Sequence, residues 1–185
     1  RAPFTILPFH STIPSDLGNP AHCCFVRKET NLDILNRELV ETAFGIVKPM
    51  IEEFLKNQQP NASGLAVVVT TTKVIDGGLS KGEHLLFHPF GDRTKWRGEF
   101  GGIAASKAAL SVRTGRNSAD LAPHYRMTGD TIHSGSVVLD DIVVACSGIK
   151  PYYDEMISMW LAATIKALAK ARFDEVRGQI KDFIE

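Results

Sequence analysis

The chain has 185 residues, 44% of them hydrophobic, with 21 Lys and Arg set against 21 Asp and Glu. That length and apolar content suit one core of ordinary size, and the zero formal net charge provides no field to hold a polyanion, which argues against a nucleic-acid partner. Lys, Asp or Gly interrupts every apolar stretch before the roughly 20 residues of a membrane helix, so no membrane partner is expected either.

Residues 1–30 carry Pro3, Pro8, Pro14 and Pro20 without a sustained hydrophobic period, which reads as an extended N-terminal arm ahead of a single domain over 31–185. Cys23 and Cys24 are adjacent and Cys146 stands alone. An odd set with a neighbouring pair makes no disulfide framework, and it points to a reducing, cytoplasmic setting. The start at Arg1 rather than Met leaves room for a trimmed targeting segment.

From Thr30 the pattern turns helical. Leu32, Leu35, Leu39, Ala43, Ile46 and Val47 share one face, with Thr30 or Asn31 as cap and Asp33 in the first turn. Pro49 is expected to kink or split this helix near Val47, because it lacks an amide hydrogen and crowds the preceding turn. Leu65 to Val69, extended by threonines, predicts a buried strand, Asp76-Gly77-Gly78 a turn, and His84 to Phe90 the antiparallel partner. An alanine-rich helix spans Ile103 to Val112 with Gly115 as its left-handed terminator, and Ser118 caps a short turn through Leu121. Val137 to Leu139 and Ile142 to Cys146 flank Asp140-Asp141 as a second hairpin. A helix then opens at Pro151 with Asp154 and Glu155 complementing its dipole, and a separate amphipathic helix runs from Phe173 to Phe183. The order of helix, hairpin, helix, hairpin, helix specifies an α/β chain of the α+β type, with a central antiparallel sheet flanked by helices.

No metal site is expected. His84 and His88 are four apart, but on a strand that spacing separates them by about 13 Å. Cys23, Cys24 and His22 lack the spaced pairs of a closed tetrahedral site. Ser147 follows a strand, yet Ala145 and Ile149 stand where a nucleophile elbow needs glycine. Gly98, Gly101 and Gly102 precede a helix and offer amides to an anion without phosphate-loop spacing. The richest cluster of ligating side chains is His124, Tyr125 and His133, with Arg113 and Arg116 at the preceding helix end. Imidazole and phenolate can ligate haem iron, and guanidinium can pair with a carboxylate.

Several strings, in this order, resemble the GlcG/HbpS-like family of haem-degrading or haem-binding domains over about residues 31–171. They are the long first helix, Leu65-Ala66-Val67-Val68-Val69 running to Asp76-Gly77-Gly78, and His84-Leu85-Leu86-Phe87. Ala105-Ser106-Lys107-Ala108-Ala109 leading to Gly115-Arg116-Asn117-Ser118, and Ile142 to Gly148 followed by Asp154-Glu155, complete the set. The chain departs from the family in five extra residues between Gly78 and His84, and in Ser134-Gly135-Ser136-Val137 where the family has Gly-Gly-x-Pro. The resemblance implies a profilin-like three-layer fold, assembly into rings or higher homo-oligomers, and a site for a small molecule or haem.

The expected function is therefore that of an oligomeric small-molecule-binding protein. Its ligand would be haem, a related tetrapyrrole or a small organic anion, held by helix ends and the loop from Gly115 to Ser134. If haem binds, His124 or His133 supplies the axial nitrogen and Arg113 or Arg116 meets a propionate. The alternatives are an enzyme moving protons through Lys107, Asp154 or Glu155, or an assembly subunit without a ligand, suggested by the N-terminal arm and by Met156, Met159 and Trp160 on one helix. In the bland reading Lys107 is a solvated helix residue and the two acids serve the helix dipole.

Overall fold

The computed structural model describes residues 34–72 and 83–177. The predicted arm, the turn at Asp76-Gly77-Gly78, and the residues Cys23, Cys24, Thr30, Asn31 and Asp33 lie outside them.

Three helices and four strands follow in the order α1 (Arg37–Gln58), β1 (Leu65–Thr71), β2 (Leu86–Phe90), α2 (Phe100–Thr114), β3 (Ser136–Leu139), β4 (Ile142–Ser147) and α3 (Pro151–Arg177). The strands form one antiparallel sheet in the order β2-β1-β4-β3. Two hairpins therefore lie side by side, joined where β1 pairs with β4. Every residue of β1 is buried, because helices cover both faces and the strand needs apolar side chains on each.

Strand alternation sorts the core into two parts. Leu65, Val67, Val69, Val144 and Cys146 face α1 and α3, together with Phe44, Val47, Ile51, Ile157, Leu161 and Ile165. Ala66, Val68, Val143 and Ala145 face α2, where Ala104, Ala108 and Val112 meet them. Small side chains on this second face let α2 lie close to the sheet. The result is three layers: α2, the sheet, and the α1/α3 pair. This is the α+β arrangement expected from the sequence.

Several boundaries differ from expectation, and β2 starts at Leu86 with His84 outside it. α1 begins at Arg37, with Ile34, Leu35 and Asn36 outside it, because the Asn36 Oδ1 accepts from the Leu39 amide at 2.9 Å and caps the helix there. Pro49 does not split α1. It sits on the exposed side, and the carbonyl that loses its partner belongs to Gly45, which is also exposed and open to water. α3 runs unbroken through Phe173 to Arg177, so no separate helix starts at Phe173; the stretch Ala167-Leu168-Ala169-Lys170-Ala171 offers only good helix formers. The Asp140-Asp141 turn forms without glycine, both residues taking positive φ of 49° and 66°. Aspartate tolerates that region better than most side chains. Asp141 also accepts from the Thr72 hydroxyl at 2.5 Å, and Asp140 pairs with Lys166 at 2.7 Å. Gly115 ends α2 in the left-handed conformation, as expected. α2 itself starts at Phe100, so Gly101 and Gly102 lie in its first turn rather than before it.

Candidate functional site

α2 packs chiefly on β1, β4 and β3, and meets β2 where Phe87 lies beside Gly101. Among the described residues, a cleft of about 420 Å³ lies beside α2, within the range of roughly 300 to 1,000 Å³ typical of small-molecule sites. Ala105, Ala108, Ala109 and Val112 form the α2 wall, Thr70 and His84 come from β1 and the chain entering β2, and Arg113 in the last turn of α2 also lines the cleft. Thr70 is on the α2 face because it follows Ala66 and Val68 in the alternation of β1. Its hydroxyl donates to the Glu83 carbonyl at 2.7 Å. The backbone leading into β2 is fixed in turn by Arg37, whose guanidinium donates to the His84 carbonyl and pairs with Glu83, both at 2.7 Å.

Arg113 is held in place by the loop that follows α2. Its guanidinium donates to the Tyr125 carbonyl at 3.1 Å and pairs with Asp130. The amide of Met127 and the charge of Arg113 hold the Asp130 carboxyl below its ordinary range. Arg116 lies over the Tyr125 ring at 5.2 Å, and His124 stacks against the same ring at 4.5 Å. Arg126 ties the loop down by donating to the carbonyls of Thr131 and Ser118. The structure thus gathers Arg113, Arg116, His124 and Tyr125 into one cluster. His133 lies further along the loop, exposed, with its amide bonded to Thr131. Of these five, Arg113 alone lines the cleft. Tyr125, His124 and His133 are exposed.

Lys107 overturns the solvated reading. It is 1% exposed, and its Nζ donates to the Cys146 carbonyl at 2.7 Å and to Asp154 Oδ2 at 2.9 Å. The other Asp154 oxygen accepts from the Ile149 amide at 3.3 Å, so Asp154 secures the turn into α3 as well as the lysine. Burial raises the Asp154 carboxyl above its usual range, and the Lys107 charge opposes that rise. The pair joins the two helical layers, and it passes the sheet at Gly135. A Cβ there would lie 2.6 Å from Asp154 Cβ and 3.0 Å from Lys107 Nζ, and φ is +128°, so glycine is required. Around this crossing, Ser118 Oγ accepts from the amides of Gly135 and Ser136 at 3.0 and 2.9 Å, Ser158 donates to the Gly135 carbonyl at 2.8 Å, and Ser111 meets Ser136 at 2.8 Å. Ser118 is therefore a buried tie between loop and strand rather than a helix cap. Burial also pushes the Cys146 thiol up to about 12, which makes it an inert core side chain. Glu155 is half-buried, and its carboxyl is raised by burial and by the nearby charge of Asp120. Ser147 is buried at the end of β4, without the exposure of an elbow nucleophile.

The sequence reading found Arg113 but not the cleft beside it. Thr70, Ala105, Ala108 and Ala109 gave no chemical signal, and His84 stood out only as half of a histidine pair. The trace that existed was the alanine spacing at 105, 108 and 109 on an otherwise amphipathic helix.

No family model matches the chain, and no curated protein matches it significantly. Among solved structures, the fold is similar to that of the Klebsiella pneumoniae protein ORFY, described as DUF336, with a TM-score of 0.48 and 13% sequence identity over 72% of this chain and 91% of that one. The likeness to that DUF336 protein is a distant one.

Proposed function

We propose that the protein is an oligomeric binding protein that takes a small organic anion in the cleft beside α2. The observation that carries this reading is Arg113, a guanidinium held at an apolar cleft by the Tyr125 carbonyl and Asp130. Two of its five N–H groups are committed, and the others remain to receive a carboxylate. The methyl wall of Ala105, Ala108 and Ala109 supplies apolar contact, the usual division of labour in a ligand pocket. The Lys107 and Asp154 pair is sealed from solvent, so it offers a substrate no path to the ammonium, and binding is the better reading than proton transfer.

The ring of Tyr125 and the imidazoles of His124 and His133 are exposed, which favours a small anion over a porphyrin. Haem is therefore the competing ligand in the test. Calorimetric titration with simple carboxylates is expected to saturate at one site per chain, and Arg113→Gln should weaken it by about tenfold or more, the worth of one charge-assisted hydrogen bond. A stoichiometric Soret shift with haemin that His124→Ala or His133→Ala abolishes would replace the small anion with haem. Absence of both responses would leave an assembly subunit without a ligand. Self-association is supported by Ile46 and Met50, exposed one turn apart on α1, and by Tyr152 and Met159 on α3. Light scattering on wild type and Ile46→Glu should show a larger species reduced towards the single chain.

A further inference from the structure

Two exposed apolar patches of opposite charge belong to layers on opposite sides of the sheet. On α1, Ile46 and Met50 are 55% and 49% exposed and stand one turn apart, so they form one patch. Residues 37–53 hold four glutamates against Arg37 and Lys48. Arg37 is taken up by Glu83, and Lys48 lies near Glu52. Glu38, Glu41 and Glu53 remain on the exposed side of α1, without an ion pair among the described residues.

The second patch is on the loop after α2. Met127 and Ile132 are 64% and 81% exposed, on either side of a turn in which the Asp130 amide donates to the Met127 carbonyl at 3.0 Å. The loop is pinned to α2, because the Thr131 amide donates to Ser106 Oγ at 3.1 Å and Arg113 pairs with Asp130. Both side chains are thus held out to solvent by a fixed backbone, and α2 lies across the sheet from α1. Residues 113–133 hold three arginines and two histidines against two aspartates. Asp130 is spent on Arg113 and Asp120 accepts from Asn117, while Arg116 and Arg126 are in no ion pair among the described residues.

Large apolar side chains presented in this way mark an interaction surface. Either patch laid on its own copy would set glutamates against glutamates or arginines against arginines, whereas α1 laid on the loop joins opposite signs. The two patches cannot meet within one chain, since the sheet separates their layers. Resting on the reading of the chain as self-associating, we infer that the contact between copies runs head to tail, with the α1 patch of one chain seated on the 127–132 loop of the next. Each added copy then leaves one patch of either kind open, so assembly proceeds to a closed ring or an open fibre and does not stop at two chains.

The test is light scattering on the full chain, its Ile46→Glu and Ile132→Glu variants, and an equal mixture of the two. The wild type should exceed the mass of two chains, and each variant alone should run as a single chain. The mixture should give a pair of chains, because the intact α1 of one variant meets the intact loop of the other, and that pair also shows that both variants fold. Met50→Glu with Met127→Glu is a second pair for the same mixing if either first variant melts early. Adding Arg116→Glu to the Ile46→Glu chain should weaken the pair by roughly three- to tenfold; an unchanged affinity would overturn the charge match that selects the partner. A wild type that stops at two chains, an Ile132→Glu variant that keeps the wild-type mass, or folded variants that stay single when mixed would each overturn the head-to-tail contact while self-association stands, with Tyr152 and Met159 on α3 as the face to try next. A wild type that is itself a single chain overturns the self-association reading as well.

Discussion

His88 shows how a single side chain near the core edge couples the fold to pH. It sits in β2 on the α1 face, its ring 4.6 Å from Phe44 and 4.8 Å from Phe90. Burial lowers its pKa, Lys48 on α1 adds to the drop, and Glu52 opposes it. The folded chain therefore prefers the neutral imidazole more than the unfolded chain does. Above the ordinary value of 6.5 this preference costs nothing. As pH falls below it, the unfolded chain takes up a proton that the folded chain resists, so stability drops until the native pKa is reached. Urea unfolding at a series of pH values should show this loss, and the wild type minus His88→Phe difference should isolate it from the other histidines. A difference that does not change between pH 5 and 8, on the order of the window for imidazole titration, would show that the aromatic packing does not depend on charge.

At the level of elements, Pro49 gives the clearest measurable case. It lies inside α1 with its ring exposed and the Gly45 carbonyl left to water. Restoring the amide with Pro49→Ala should stabilise the protein by about 1–3 kcal/mol, up to the full helix-interior penalty of proline, read as a higher urea midpoint at unchanged slope. The hydrophobic periods in the sequence identified all seven helices and strands of the described chain, because each depends on neighbours three, four or two residues away. Gly115 was legible as a terminator for the same reason: its role is local. What could not be read was the effect of distant partners. Lys107 in an alanine-rich helix looks solvated until the fold brings Asp154, 47 positions away, against it. Asn36 was missed as the cap of α1 because leucines at 32 and 35 continue the helical period past it. The cleft was invisible because it comes from how α2 lies across the sheet, a fact of layer geometry.

Across the whole molecule, the Lys107 and Asp154 pair is the buried ion pair described between layers joined mainly through apolar packing. Lys107→Met should cost about 3–5 kcal/mol, since it leaves a carboxylate buried without its cation; the Asp154 carboxyl would then titrate higher still. The double variant Lys107→Met with Asp154→Leu should cost less than either single change, because no uncompensated charge remains. Equilibrium urea unfolding of the four proteins gives the coupling directly. Additive losses would mean that the two charges do not sense each other.

The gap at Gly135 ties three distant positions into one heritable unit. A side chain at 135 would meet the Asp154 Cβ and the Lys107 Nζ and would have to hold φ at +128°, so a descendant that keeps the buried pair must keep the glycine. Among relatives of this chain, those that keep Lys107 and Asp154 should therefore keep Gly135 with them, though the three are separated by 28 and 19 positions along the sequence.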